Sequence, residues 1–175
     1  MVTAALAITD EHRALAESAT GLLTRLNALG SARSTLDTGS SHPSDLWTGA
    51  AQLGWQGLAI REEHGGSGFG LAELAIVLEA QGRQLSPGPF LPTVAAAVVI
   101  DRCAPDSVRA QLLPGLADGS TVAGFGLAGT VADGTGEWPA VLGAPDADVL
   151  VLLAGDAGVV GAPSTDRVLA TPLAL

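Results

Sequence analysis

The sequence predicts a multi-domain chain of two parts. An all-α helical sheaf covers residues 1 to about 118, and a short, partial β domain covers 119–175. Three observations predict it. Apolar residues in the first part recur at three- and four-residue steps, the period of one helical face. After Gly119 the apolar runs become short, Val/Leu-rich and broken by Gly, Pro and Asp, as in strands joined by tight turns. The composition is 47% hydrophobic and 15% charged, enough for one substantial core or two small ones and unlike a disordered chain.

Taken in order, Leu15, Ala19, Leu22, Leu26 and Leu29 line the first helix. Thr9 reads as its N-cap, with Asp10 and Glu11 in the first turn and Gly30 as its stop. "ARSTLDTGSSH" reads as a polar loop. Pro43 suits the first turn of a second helix, whose inner face is Leu46, Ala50 and Leu53 and whose end is Gly54. A third helix is predicted over Leu71 to about Arg83, with Glu79 and Arg83 paired at i, i+4. A fourth runs from about Pro92 to Arg102, and a fifth from Pro105 to near Leu113, before Pro114. Leu15, Leu22, Leu26, Leu46, Leu53, Leu74 and Leu78 are the predicted core. In the β part the runs are "TVAGFGLAG", "PAVLG", "DVLVLLAG", "GVVGA" and "DRVLATPLAL". They are too few for a closed barrel, and the last still ends on apolar residues, so the β part is expected to be incomplete.

Charge narrows the partners. Net charge is −10, from 18 acids against 8 arginines, with no lysine. Such a surface repels phosphate backbones and anionic lipid, so neither nucleic acid nor a membrane is expected. Without lysine there is neither a phosphate loop ending in Gly-Lys-Ser/Thr nor a lysine Schiff base. "MVTAALAITDEH" lacks a basic leader, and "VAAAVVI" is too short to span a bilayer. The single cysteine, Cys103, suits a reducing cytoplasm, the expected location.

The polar constellations are individually bland. In "REEHGGSGFGLAEL" the order Gly65, Gly66, Gly68, Gly70 breaks the dinucleotide fingerprint, because Leu71 takes the place of the last glycine. A tight turn with positive φ at one or two glycines is the simpler reading. His12, His42 and His64 lie apart without ligand spacing and read as solvated, and no metal is expected. Glu62 and Glu63 are adjacent and do not point into one site, and Trp47, Trp55 and Trp138 read as core or interface aromatics.

The order of the pieces is more informative. "LWTGAAQLGWQGLAIREEHGGSGFGLAELAIVLEAQGRQLSPGPFL" resembles the N-terminal helical domain of acyl-CoA dehydrogenases. That pattern reads "LGW-x-GL-x-I-PEE-x-GG-x-G" and then "E-x-x-GR", with Arg61 here where proline is usual. "DSVRAQLLPGLADGSTVAGFGLA" resembles the family's approach to its first β segment. The resemblance implies oxidation of an acyl-CoA thioester to a 2-enoyl-CoA with FAD, electron-transfer flavoprotein as acceptor, and a homo- or hetero-oligomer. It places the glycine loop beside the acyl pocket and makes Ser86, Pro89, Phe90 and Pro92, in "SPGPFLP", the expected pocket lining. Phe125, Leu127, Ala128 and Gly129 fall on the flavin-contacting segment.

This chain departs from the family there. "FGLAGTVADGTG" has Ala128 where the family has a threonine that bonds the flavin, and Gly129 where it has glutamate. Restoring the hydroxyl with Ala128→Thr is expected to tighten flavin binding. No catalytic residue is expected in this chain. Glu11, Glu17 and Glu73 read as solvent-facing on helices, Glu62 and Glu63 as loop, Glu79 as paired, and Glu137 as part of a β turn. The C-terminal helical domain that ordinarily holds the base is not matched. The expected function is therefore the N-terminal portion of a flavin-dependent acyl-CoA dehydrogenase, inactive alone. The alternatives are the flavin-poor half of a two-part dehydrogenase, or a non-catalytic scaffold of that fold.

Overall fold

A computed structural model describes residues 8–38, 44–132, 135–155, 157–162 and 169–174. Six helices precede the sheet: α1 (Asp10–Arg25), α2 (Ala28–Thr38), α3 (Ser44–Gln52), α4 (Leu71–Arg83), α5 (Phe90–Cys103) and α6 (Asp106–Asp118). Strands β1 (Ala123–Gly126), β4 (Val141–Leu142), β5 (Val149–Ala154), β6 (Ala157–Ala162) and β7 (Leu169–Ala174) form one sheet in the order β4-β1-β5-β6-β7. Only β1 and β5 run parallel, while β2 (Thr130–Ala132) and β3 (Thr135–Glu137) form a separate hairpin.

α1 starts as expected. Thr9 Oγ1 accepts the His12 backbone N–H, and His12 Nδ1 accepts the Thr9 N–H in return, so a histidine closes the capping box. Its end differs. Asn27, at φ 51°, breaks the chain after Leu26, and Gly30 lies inside α2 rather than stopping α1. A methyl group on Gly30 would sit 2.3 Å from Asn27 Nδ2, so the glycine makes room for the folded-back amide. The expected polar loop is helical through Thr38. Leu29 and Leu36 are exposed on that helix, which among its described side chains buries only Ala28, so a surface helix stands where a polar loop is expected.

α3 and α4 fall where expected, although Pro43 and His42 lie outside the described residues. Gly54, at φ 70°, turns Trp55 into the core at 2% exposure and leaves Leu53 47% exposed. Leu53 was expected inside. Because the helix stops at Gln52, Leu53 leaves the face shared by Leu46 and Ala50. Leu22, Leu46 and Leu74 are buried; Leu15, Leu26 and Leu78 are half-buried against the same cluster.

α5 begins two residues earlier than expected, at Phe90. α6 passes through Pro114 and ends at Gly119, φ 78°. Pro114 lies on the exposed side while Leu113, Leu116 and Ala117 are buried, and that burial offsets the missing backbone bond. Glu137 lies in β3, not in a turn.

The glycine loop is a tight turn, as read. Backbone N–H groups of Ser67, Gly68 and Phe69 bond the carbonyls of Gly57, Ile60 and Leu58. A methyl group on Gly66 would lie 2.1 Å from Ile60 O, and Gly65 and Gly68 have φ 85° and 67°. Nothing is left of this loop to cradle a phosphate.

Two apolar clusters form the core. One joins α1, α3, α4 and α5 around Leu22, Leu46, Trp55 and Leu74. The second carries Ile60, Ala97, Ile100, Leu113 and Leu116 against Ala123, Val149, Val151 and Val160 of the sheet. Helices and sheet therefore share one seam.

Candidate functional site

At the edge of that seam lies a cleft of about 670 Å³, within the size range of small-molecule sites. The end of α4 supplies Leu78, Gln81 and Gly82, and the start of α5 supplies Leu91 and Pro92. Between them the loop adds Leu85, Ser86, Gly88 and Pro89, and the turn after β4 adds Leu142, Gly143 and Asp146.

The loop is held open by unusual backbone. Leu85 has φ 49° and Gly88 φ 121°, while the Leu85 and Ser86 N–H groups bond Gly82 O and Gln81 O at the end of α4. A leucine with positive φ costs roughly 1–2 kcal/mol of backbone strain. Here it keeps an apolar side chain 63% exposed at the cleft. Across from it, a methyl group on Gly143 would sit 2.8 Å from Pro92 Cγ, so the β4 turn presses directly on the first turn of α5.

Of the expected lining residues, Ser86, Pro89 and Pro92 meet at this cleft. Phe90 turns away from it. Only 5% exposed, it packs edge-on against Trp55, with ring centroids 6.4 Å apart at 83°. Leu91 lies within the expected "SPGPFLP" turn, whereas Gln81, Leu85, Leu142 and Asp146 converge from three other segments that the sequence did not join. The out-of-place leucine between "GRQ" and "SPG" was the one usable sign.

The cleft lining carries no glutamate and no arginine or histidine among the described residues. Six glutamates, Glu11, Glu17, Glu62, Glu63, Glu79 and Glu137, are exposed. Glu73 corrects the expectation of a solvent-facing side chain. Its Oε2 accepts the Gly70 N–H at 2.9 Å and its Oε1 pairs with His12 Nε2 at 3.1 Å. Because His12 Nδ1 accepts the Thr9 N–H, the neutral imidazole carries its proton on Nε2 and donates it to Glu73. That bond is the largest influence holding the Glu73 carboxyl below its ordinary value, and its own N-terminal backbone adds to it. A carboxylate so stabilised is a poor general base. His12 is likewise a joint between α1 and α4 rather than a solvated side chain. No group of three metal-ligating side chains occurs among the described residues.

The flavin-assigned segment starts at Phe125 within β1 and runs past the end of that strand. Phe125 packs on the core cluster shared with α5 and α6, and Leu127 is 55% exposed. Ala128 is exposed at φ 56°, where a β-branched side chain is strained, so Ala128→Thr meets a backbone cost that the sequence did not reveal. The Gly129 N–H donates to Leu153 O at 3.1 Å, and Trp138 Nε1–H donates to the same oxygen at 2.9 Å.

A helical sheaf shares its core with a sheet, and a largely apolar cleft opens at their seam. Residues 9–120 match the family described as "Acyl-CoA dehydrogenase, N-terminal domain", and the chain belongs to the acyl-CoA dehydrogenase family. Acyl-CoA dehydrogenase FadE12 of Mycobacterium tuberculosis is 37% identical over 92 residues, covering 49% of this chain and 23% of that protein. Acyl-CoA dehydrogenase IpdE2 of the same species is 34% identical over 115 residues, covering 65% of this chain and 35% of that protein. The chain thus spans well under half the length of these curated relatives. Among solved structures, the Tcur3481-Tcur3483 steroid ACAD variant superposes with a TM-score of 0.75 at 25% identity, over 97% of this chain and 55% of that one. The ChsE4-ChsE5 complex from Mycobacterium tuberculosis gives 0.72 at 20% identity, over 90% of this chain and 48% of that one.

FAD is present in solved structures of this fold. The residues here do not fit it through the side chains the family uses. Position 128 offers a methyl group, position 129 none, and the Gly129 N–H is already bonded to Leu153.

Proposed function

We propose that this chain is the acyl-binding portion of a flavin-dependent acyl-CoA dehydrogenase, taking part in conversion of an acyl-CoA thioester to the 2-enoyl-CoA. One observation carries the reading: the 670 Å³ cleft at the helix–sheet seam is walled mostly by apolar residues, with Asp146 the one carboxylate in its described lining. The chain's own contribution is to bind the acyl group against Leu78, Leu85, Leu91, Pro92 and Leu142, orient it and keep water from it. Removal of a thioester α-proton needs a base within hydrogen-bond reach, which further polypeptide supplies. The proposal divides the chain into a helical domain, 1–118, and part of the middle β domain, 119–175. It places the protein in the cytoplasm with electron-transfer flavoprotein as acceptor.

A second reading makes the chain the flavin-poor half of a two-part dehydrogenase. Ala128 and Gly129 favour it, and two structural neighbours carry paired names.

The test is a thermal-shift titration of the chain with acyl-CoAs of increasing size, followed by a dye-coupled dehydrogenase assay with FAD. Stabilisation by acyl-CoA over CoA, with turnover only after the remaining polypeptide is supplied, is the expected result. Turnover by the chain alone, lost on changing Asp146 or one of its own glutamates, overturns it.

A further inference from the structure

Trp138 sits on a bed of three glycines. A methyl group on Gly129 would lie 2.2 Å from Trp138 Nε1, one on Gly136 2.4 Å from Cζ3, and one on Gly126 3.2 Å from Cδ1. The indole is therefore where any side chain at 129 would project. Its N–H and the Gly129 N–H converge on Leu153 O, so both donors at this corner are consumed within the sheet. Leu152, whose Cδ2 would lie 2.8 Å from a methyl group on Gly126, is 4% exposed.

Resting on the acyl-CoA dehydrogenase reading, we infer that Trp138 and these glycines form a lock that closes the end of β1 to flavin. The lock acts at both positions where the family places a polar side chain. Residue 129 has no room for one while Trp138 is seated. Residue 128 is turned into the left-handed region, where threonine is disfavoured. Tryptophan and glycines depend on each other: the ring needs their bare Cα atoms, and without the ring the Leu153 carbonyl would lose its indole donor. Restoring the glutamate alone therefore damages the fold rather than reviving a flavin contact.

The experiment has two readouts on the full chain. The first is FAD retention after ultrafiltration with excess FAD, read by flavin absorbance; no bound flavin is expected, and equimolar flavin overturns the inference. The second is a double-mutant cycle on melting temperature with Gly129→Ala and Trp138→Ala. Gly129→Ala is expected to lower the melting temperature by several degrees in the native background and by much less beside Trp138→Ala. An equal drop in both backgrounds, or none in the first, overturns the lock. If Gly129→Ala does not fold, a folded double variant supports the lock, and an unfolded one overturns it when Trp138→Ala alone folds. Thermal shift with acyl-CoA on the same preparation separates the two proposals: no stabilisation counts against the acyl-binding role and leaves both lock readouts unchanged.

Discussion

The Thr93 hydroxyl and the Ala123 backbone exchange two hydrogen bonds across the helix–sheet seam: Oγ1 accepts the Ala123 N–H at 3.1 Å and donates to its carbonyl at 3.3 Å. Thr93 is fully buried on α5, and Ala123 opens β1. Thr93→Val keeps the shape but removes both partners. A loss of about 1–3 kcal/mol is expected, since a buried peptide group goes unpaired. Urea unfolding measures it, and unchanged stability would show that the seam does not depend on this pair.

Burial separates two leucines that the sequence placed together. Leu22 is 6% exposed and Leu53 47% exposed. Leu22→Ala should cost about 2–5 kcal/mol, while Leu53→Ala should stay within ~0.5 kcal/mol. Paired denaturation curves decide it.

Leu85 combines strained backbone with an apolar wall. Leu85→Gly removes the positive-φ strain but frees the unfolded chain, and the two nearly cancel, within ~1 kcal/mol. Acyl-CoA affinity should nonetheless fall about tenfold, equivalent to ~1.4 kcal/mol. Equal losses of stability and affinity would mean that Leu85 serves folding alone.

The His12–Glu73 joint predicts an acid response. Glu73 is held below its ordinary value in the folded state, so its contribution is present above the unfolded carboxylate value and lost as pH falls through the lowered folded one. Glu73→Gln should therefore lower stability near neutrality, with the difference from the native chain vanishing on acidification. A difference that persists into strong acid contradicts this origin.

Ala128→Thr tests the left-handed turn at the end of β1. A loss of ~1–2 kcal/mol and no gain in flavin retention are expected. A tighter flavin complex without loss of stability would return this segment to a flavin-binding role.

Local and periodic features were legible in the sequence. The leucine steps placed α1, α3 and α4, the Thr9 cap set the start of α1, and the glycine loop read as a tight turn because positive φ is a property of single residues. The start of the cleft loop was legible too, at Ser86, Pro89 and Pro92. What the sequence could not decide depends on which surfaces meet. α2 has no buried stripe to announce it, and α6 continues through Pro114 because the ring falls on the exposed side. Phe90 leaves the cleft because Trp55, 35 positions earlier, offers its ring from another element. Gln81, Leu142 and Asp146 become neighbours only once the β4 turn closes on α5. Trp138 needed most of all the folded chain: its partners Gly126, Gly129, Gly136 and Leu153 lie on different strands and turns, and only pairing of the sheet brings them under one ring.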